Sequence, residues 1–408
     1  MPRASSPLRI PALRRLLAAY AVSGLGDWFG EIALSVVVLH ETGSVLAVAA
    51  LWVAGGIVPA LAGPPIIARL ARVRVPLLYA AEAAVFAVLA IAVAEHAPTA
   101  LLVALGLVDG TLAFGARALT KTAIVAAAEP AGALAEANRL LGIVFGASMA
   151  CGPALAGIAV AAFGPAAALA LDGASFLGAA LLLTRGTGPV NVAAAGRPRV
   201  SLRDALARAR RADTLGMLLL VDGATAICFA LIIPVELVFV TDTLGGSAAD
   251  FGLVLAAWGA GAVLGGVALG RLRHLDPGIM LLAGFGLMVA GYLGMGAAGA
   301  VATVVAFSLL GGLGQGIEGC ALLTAVQTRA PADLQAHVNV IAEAVRTAAP
   351  AVGFAIGGLL AATTTPRATY LVAGLGALAV TAVSARTLSG AVTGHPAPAV
   401  AVGLSPAR

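Results

Sequence analysis

Long apolar stretches, separated by short polar or Gly/Pro-rich breaks, run along almost the whole chain. Most are about 20 residues or longer, which is the length that an α-helix needs to cross the hydrocarbon core of a bilayer. They run well past the alternating segments of about 10 residues that form transmembrane β-strands. The pattern therefore predicts an all-α membrane protein with twelve transmembrane helices. The predicted spans are 16–39, 46–68, 75–95, 99–120, 139–162, 165–185, 214–239, 251–270, 278–297, 300–325, 338–362 and 369–387.

Composition agrees with this pattern. The chain is 61% hydrophobic and 11% charged, and its mean hydropathy is +1.03, whereas soluble domains carry about 25% charged residues. No soluble fold has enough interior to bury so much apolar surface. Twelve spans in 408 residues leave about 34 residues for each span and its loop, so no sizeable soluble domain is expected.

One connection, residues 186–213, is long. It starts with a Gly/Pro-containing polar segment and ends in an arginine-rich stretch that predicts an amphipathic surface helix. We expect a basic cytoplasmic linker here, between a six-helix N-terminal half (1–185) and a six-helix C-terminal half (214–390). Residues 391–408 are expected to be a flexible tail. The arginines of the linker are Arg197, Arg199, Arg203, Arg208, Arg210 and Arg211.

The net charge of +5 indicates orientation, and not nucleic-acid binding, because loops rich in Lys and Arg stay on the cytoplasmic side of a membrane. With the predicted spans, 23 of the 24 Lys and Arg residues fall on the cytoplasmic side of the membrane, and only Arg367 falls on the outer side. We expect a bacterial inner-membrane protein with both termini in the cytoplasm. Cleavage of the first span as a signal peptide is disfavoured, since it would leave an odd number of spans.

An internal repeat relates the two halves at an offset of 201 residues. Six spans repeated in the same orientation predict two parallel halves around an axis along the membrane normal, which is a transporter architecture. The matching pairs include Pro130 and Pro331, Asn138 and Asn339, Gly152 and Gly353, Gly157 and Gly358, and Pro165 and Pro366.

Four short motifs carry a family resemblance: Ser23-Gly-Leu-Gly-Asp27, Phe114-Gly-Ala-Arg117, Leu134-Ala-Glu-Ala-Asn138 and Asp172-Gly-Ala-Ser-Phe176. Together they resemble the major facilitator superfamily, along nearly the whole chain. Within it, the chain is most similar to the branch of drug:proton antiporters and secretion effectors that includes the enterobactin exporter. The resemblance implies a major facilitator fold, in which spans 1, 4, 7 and 10 line a central cavity.

Two further motifs bear on the direction and gating of transport. Ser148-Met-Ala-Cys-Gly152-Pro153-Ala-Leu-Ala-Gly157 resembles the antiporter motif, in which small residues allow close helix approach and the proline favours a bend. We expect Gly152 to lie between the packed halves, although small residues at any helix interface would give a similar pattern. The loop between spans 2 and 3 keeps the family arginines Arg69 and Arg72, but Ala68 replaces the signature aspartate of the charged gate latch.

Ionisable residues inside the predicted spans are the candidate site. A charge at the bilayer centre costs about 2.5–3.5 kcal/mol, so such residues usually have a function or a partner. Glu31 is the most distinctive, because no family motif contains it. The alternative is a structural role, in which an acid caps a helix or pairs with an arginine; we assign that role to Glu82 and Asp172, and expect Glu343 and Arg346 to pair. The candidates for proton coupling or the substrate cavity are Asp27, Glu31, Asp109, Arg117, Asp222, Gln315 and Glu318.

Enzyme chemistry finds little support. The five histidines have no metal-ligand spacing, no phosphate loop occurs, and Gly311-Gly-Leu-Gly-Gln-Gly316 follows no strand, so no cofactor or metal is expected. The sequence predicts a monomeric, proton-coupled secondary exporter of a small amphipathic compound, either drug-like or a secondary metabolite. Its partners would be that substrate, protons and the lipid bilayer, with no nucleic acid. An uptake or lipid-flipping transporter of the same fold, or a non-transporting membrane receptor, remains open.

Overall fold

The computed structural model describes residues 10–57, 69–70, 72–184, 213–271, 277–329 and 335–392. Residues 185–212 and 393–408, which include nearly all of the predicted linker and tail, lie outside this part of the chain. The described part contains twelve α-helices, which confirms the all-α fold with twelve helices. They are α1 (Pro11–Thr42), α2 (Val45–Trp52), α3 (Val75–Ala94), α4 (Thr99–Ala128), α5 (Leu134–Phe163), α6 (Pro165–Leu183), α7 (Asp213–Val238), α8 (Ala248–Arg271), α9 (Pro277–Ala297), α10 (Val301–Arg329), α11 (Gln335–Thr363) and α12 (Pro366–Val392).

Ten helices of the described chain are long and apolar enough to cross a membrane. The other two predicted spans contribute the shorter apolar segments Val45–Gly55 and Ala349–Thr363. A π-helical turn, Val53–Ile57, continues α2, and another, Phe239–Thr243, continues α7.

The helix ends follow from local sequence. Gly43, with φ +60°, ends α1 in the left-handed conformation that glycine adopts without steric cost, and its N–H donates to the carbonyl of Leu39. Ser44 then caps α2, because its side chain accepts a hydrogen bond from the N–H of Ala47 at 3.3 Å. Two residues therefore suffice to reverse the chain between α1 and α2.

The helices form two groups that correspond to the sequence repeat. In the first group, α1 packs against α4, α5 and α6, and α3 packs against α4 and α6. In the second, α10 packs against α8 and α9, and α7 packs against α11 and α12. Two seams join the groups: α5 packs against α8, and α2 packs against α11.

At each seam, a glycine lies in the contact between the two helices, and the two glycines occupy equivalent positions of the repeat. A Cβ on Gly157 of α5 would lie 3.0 Å from the Cα of Gly252 on α8, in the other half. Its repeat partner, Gly358 of α11, packs in the same way against Ala49 of α2, also in the other half. The backbones therefore approach closely at both seams, as small residues at membrane helix interfaces allow.

Gly152 has a different neighbour from the one expected. A Cβ at this position would collide with the indole ring of Trp28 on α1, in the same half. Its repeat partner Gly353 likewise faces Ala230 of α7, in its own half. The expectation that Gly152 lies between the packed halves is therefore wrong. Gly152 and Gly157 are five residues apart, so they lie on different faces of α5, and only Gly157 faces the other half.

Pro153 also contributes to the α5–α8 seam. It lies within α5 and has no N–H, so the carbonyl of Met149, one turn earlier, lacks its usual helical donor. That carbonyl lies directly against Gly259 of α8, where any side chain would collide with it. The carbonyl of Pro153 lies against Gly252 in the same manner.

Candidate functional site

An ion pair between α1 and α4 forms the centre of the candidate site. Nη1 of Arg117 donates to Oδ2 of Asp27 at 2.8 Å. The side chain of Asp27 is 15% exposed and that of Arg117 is 43% exposed, so the guanidinium has the more open surface. Both residues come from family-like motifs of the sequence, and the structure brings these two candidates into contact.

More carboxyl groups than Asp27 act on this guanidinium. Glu31, one turn from Asp27 on α1, Asp109 on α4 and Glu82 on α3 all interact electrostatically with Arg117. Glu31 and Asp109 are partly exposed. Four acids thus interact with one cation, which can balance the charge of only one of them.

Asp109 itself is incompletely satisfied. Its Oδ1 is buried and has no hydrogen-bond partner among the described residues. Gly110, the next residue, packs against the carbonyl of Gly55 in the π-helical turn of α2. The residue after this acid therefore packs against a backbone segment with π-helical hydrogen bonding.

Asp172 has the geometry of an anchor. It is fully buried, and its Oδ2 accepts a hydrogen bond from the N–H of Gly30 at 3.1 Å. Its Oδ1 accepts one from the hydroxyl of Ser175 at 3.3 Å. A Cβ on Gly26 or Gly30 would collide with this carboxylate, so the glycines of α1 make room for it.

An aromatic group with an amide lies in the second half. Nε1 of Trp258 donates to Oε1 of Gln315 at 2.6 Å, which joins α8 to α10. The Trp258 ring stacks on Tyr292 of α9 with the centroids 5.3 Å apart, and it also contacts Phe229 of α7 at 5.3 Å. Gln315 was a sequence candidate, and Trp258 was not, although Trp258-Gly-Ala-Gly echoes Trp52-Val-Ala-Gly in the first half.

The remaining acids of the second half are placed differently. Glu318 is 4% exposed and packs against Gly284, on the face of α10 that meets α9. Asp222 is partly exposed on α7. Glu236, 3% exposed on α7, interacts with Tyr370 of α12. The candidate site around Arg117 is thus built from helices of the first half.

The candidate gate arginines lie in the turn before α3. Arg69 and Arg72 are exposed, and the N–H of Arg72 donates to the carbonyl of Arg69 at 3.2 Å. Ala68 falls outside the described residues, as do the side chains of Glu343 and Arg346. Within the described part of the chain, no group of three or more His, Cys, Asp or Glu residues is arranged to hold a metal ion.

One known family matches nearly the whole chain. The family described as transmembrane secretion effector matches residues 3–388. The chain belongs to this family. It is a multi-pass membrane transporter of the major facilitator kind, and it is not an enzyme. No curated protein sequence matches it significantly.

Solved structures share the transporter's fold. A bacterial metal transporter superposes with a TM-score of 0.71 and 16% identity, covering 94% of this chain and 100% of that chain. A bacterial homologue of the iron transporter ferroportin, solved facing inward, gives 0.69 and 17%, covering 94% and 100%. A bacterial homologue of the human lysosomal transporter Spinster, also facing inward, gives 0.68 and 14%, covering 95% and 98%. At these identities the likeness concerns the fold alone.

Proposed function

We propose that this transporter is a proton-coupled secondary exporter of a small amphipathic compound, working by alternating access. The observation that carries the proposal is the Asp27–Arg117 ion pair, with which the partly exposed Glu31 and Asp109 interact electrostatically. Four acids around one guanidinium cannot all be balanced by it, so a proton bound among them changes the charge of the site directly. Such a group can exchange protons when the cavity opens to water.

Coupling then follows from competition for one site. A proton on Glu31 or Asp27 removes one negative charge beside Arg117, and a substrate with a polar or charged group competes for the same surroundings. Each bound species biases which side of the transporter is open, because it interacts differently with the two conformations. The glycine-lined α5–α8 and α2–α11 seams supply surfaces about which two halves can rock.

The export direction rests on the resemblance of the segment from Ser148 to Gly157 to the antiporter motif. The proposed location is the bacterial inner membrane, with both termini and the basic linker in the cytoplasm. It rests on the one-sided distribution of Lys and Arg. A monomer suffices for this mechanism, since both halves belong to one chain.

The test separates exchange from accumulation. Survival of a deletion strain across a panel of amphipathic antibiotics and dyes first selects a transported probe. Purified protein in liposomes is then assayed for probe exchange without a gradient and for accumulation driven by an imposed pH gradient. The Glu31→Gln variant should exchange the probe like the wild type and lose at least about tenfold in pH-driven accumulation.

Glu136→Gln is the matched control. Glu136 lies at the exposed start of α5, where it pairs with Arg139, and exposed pairs contribute little. It should leave both activities unchanged. Wild-type accumulation by Glu31→Gln would move the coupling role to Asp109, and loss of exchange would give Glu31 a role in substrate recognition. Accumulation in the opposite direction would favour uptake, and the absence of any transport by the wild type would favour a receptor.

A further inference from the structure

Two acids of the first half, Asp172 and Glu82, are buried, whereas Asp27, Glu31 and Asp109 are partly exposed, and the two buried acids differ in their hydrogen bonds. Asp172 is fully buried, and both of its oxygens accept hydrogen bonds. Glu82 is 1% exposed, and its Oε1 has no hydrogen-bond partner among the described residues. The two acids are therefore equally buried but not equally hydrogen-bonded. Asp172 is held by hydrogen bonds, and Glu82 is not fully held in this way.

The surroundings of Glu82 explain why this matters. It lies on α3, between helices that all carry groups able to interact with it electrostatically. Only one of these groups is a permanent cation, and that cation is already engaged by Asp27 at 2.8 Å. The groups are Tyr79 on α3, Asp27 on α1, Asp109 and Arg117 on α4, and Asp172 on α6.

A buried, ionised carboxylate that lacks a dedicated counter-ion and a full set of hydrogen bonds is costly, and in practice such a group takes up a proton. Burying a protonated glutamic acid at the same position costs much less free energy than burying the ionised form. Glu82 also interacts electrostatically with Arg117. A guanidinium released from Asp27 would therefore stabilise a charged Glu82.

We propose that Glu82 is a second proton-carrying residue, which holds a proton while Asp27 and Arg117 are paired and releases it when Asp27 becomes protonated. This inference rests on the proposed function, in which the acids around Arg117 take part in coupling. Glu82 was assigned a structural role from its position on span 3, and its burial without full hydrogen bonding is what distinguishes it.

The exchange is balanced in protons and charge. The Asp27 carboxylate takes a proton from water, and its ion pair with Arg117 breaks. The O–H of Glu82 gives its proton to water, and the resulting carboxylate takes over the interaction with the guanidinium. The protein holds one proton before and after, so the proton changes place without any change in the net charge of the half.

Infrared spectroscopy of the purified full-length protein tests this directly, and needs no substrate. Protonated carboxylic acids absorb in a carbonyl region that ionised carboxylates and amides leave clear. At neutral pH, the wild type should show one such band that the Glu82→Gln variant lacks. In the Asp27→Asn background, where Arg117 is free to stabilise a charged Glu82, adding Glu82→Gln should remove no band.

Glu236→Gln is the matched control, since it makes the same change at an equally buried glutamate in the other half. Any band that it removes should be removed equally in the Asp27→Asn background. If Glu82→Gln does not fold, Glu82→Asp keeps the carboxyl group and should shift the band instead of removing it. The absence of a Glu82 band in the wild type, or its persistence with Asp27→Asn, would overturn the inference.

Failure of this inference is distinguishable from failure of the proposed function. A wild type that shows no pH-driven accumulation of the probe contradicts the proposed function, whatever the infrared result. A wild type that accumulates the probe but lacks the Glu82 band contradicts only the inference. If both hold, Glu82→Gln should lower pH-driven accumulation of the probe while leaving probe exchange intact.

Discussion

Gly157 of α5 and Gly252 of α8 are in backbone contact across the two halves: a Cβ on Gly157 would lie 3.0 Å from the Cα of Gly252. A side chain added at Gly157 would therefore collide with α8 across the seam. Gly157→Val should lower probe exchange by about tenfold or more, because overpacking a tight contact costs about 1–3 kcal/mol. Exchange in liposomes, compared with the amount of folded protein recovered, measures the effect.

Gly142→Ala and Gly157→Ala form a matched pair for this prediction. Both positions lie on α5, and a Cβ on Gly142 would meet no atom within 4 Å. The first change should therefore leave exchange unaltered and the second should reduce it. Equal activities of the two alanine variants would show that the seam tolerates a wider separation than the structure has.

Gly152→Ala should act on the first half and not on the seam. The added methyl group collides with the Trp28 ring, so the melting temperature of the purified protein should fall. Replacing the ring by a smaller side chain, Trp28→Leu, should recover part of the loss in the double variant. A double-mutant cycle measures this coupling, and additive effects of the two changes would contradict the contact.

Removing the two partners of the central ion pair should have unequal effects. Arg117→Gln leaves the acids without their one cation, and should lower the free energy of unfolding by about 2–3 kcal/mol. This is below the ~3–5 kcal/mol of a fully buried pair, because the Arg117 side chain is 43% exposed. Asp27→Asn should cost less, since Glu31, Glu82 and Asp109 still interact with the guanidinium.

Thermal unfolding of the three proteins in one detergent gives the order of stabilities. The wild type should be the most stable, Asp27→Asn intermediate and Arg117→Gln the least stable. The reverse order for the two variants would mean that Asp27, and not the group of acids, is what balances Arg117.

Orientation can be tested with single cysteines in a background lacking Cys151, Cys228 and Cys320. Thr243 is exposed in the short connection between α7 and α8. If the one-sided arrangement of Lys and Arg sets the orientation, Thr243→Cys should react with an impermeant thiol reagent added to intact cells. A cysteine placed within 190–210 should react only after the cells are opened, and the opposite pattern would reverse the proposed orientation.

The sequence predicted the fold well because span length and charge distribution are properties of single segments. The apolar runs predict twelve helices. The offset of 201 residues pairs Gly152 with Gly353 and Gly157 with Gly358. The structure gives the members of each pair equivalent contacts. A repeat conserves such contacts because both copies pack in the same way.

The rotation of each helix about its own axis, which decides which residues meet which neighbour, was harder to predict. A helix that is apolar on every side has no polar face to mark the direction of its neighbours. For this reason Gly152 was expected at the wrong interface, and the bond between Trp258 and Gln315 gave no signal in the sequence beyond the Trp258-Gly-Ala-Gly echo. Glu82 could be recognised as an acid inside a span, but not as an acid that interacts with Arg117, because that interaction depends on how α3 is rotated against α4.

The hydrogen bond from the backbone of Gly30 to Asp172 fixes how α1 can move. It ties the middle of α1 to α6 on the side where Gly26 and Gly30 leave no room for slippage. Turning or sliding α1 alone would break this bond and leave one oxygen of a buried carboxylate without its donor. Asp27 and Glu31 are therefore expected to move together with α6 when the transporter changes conformation.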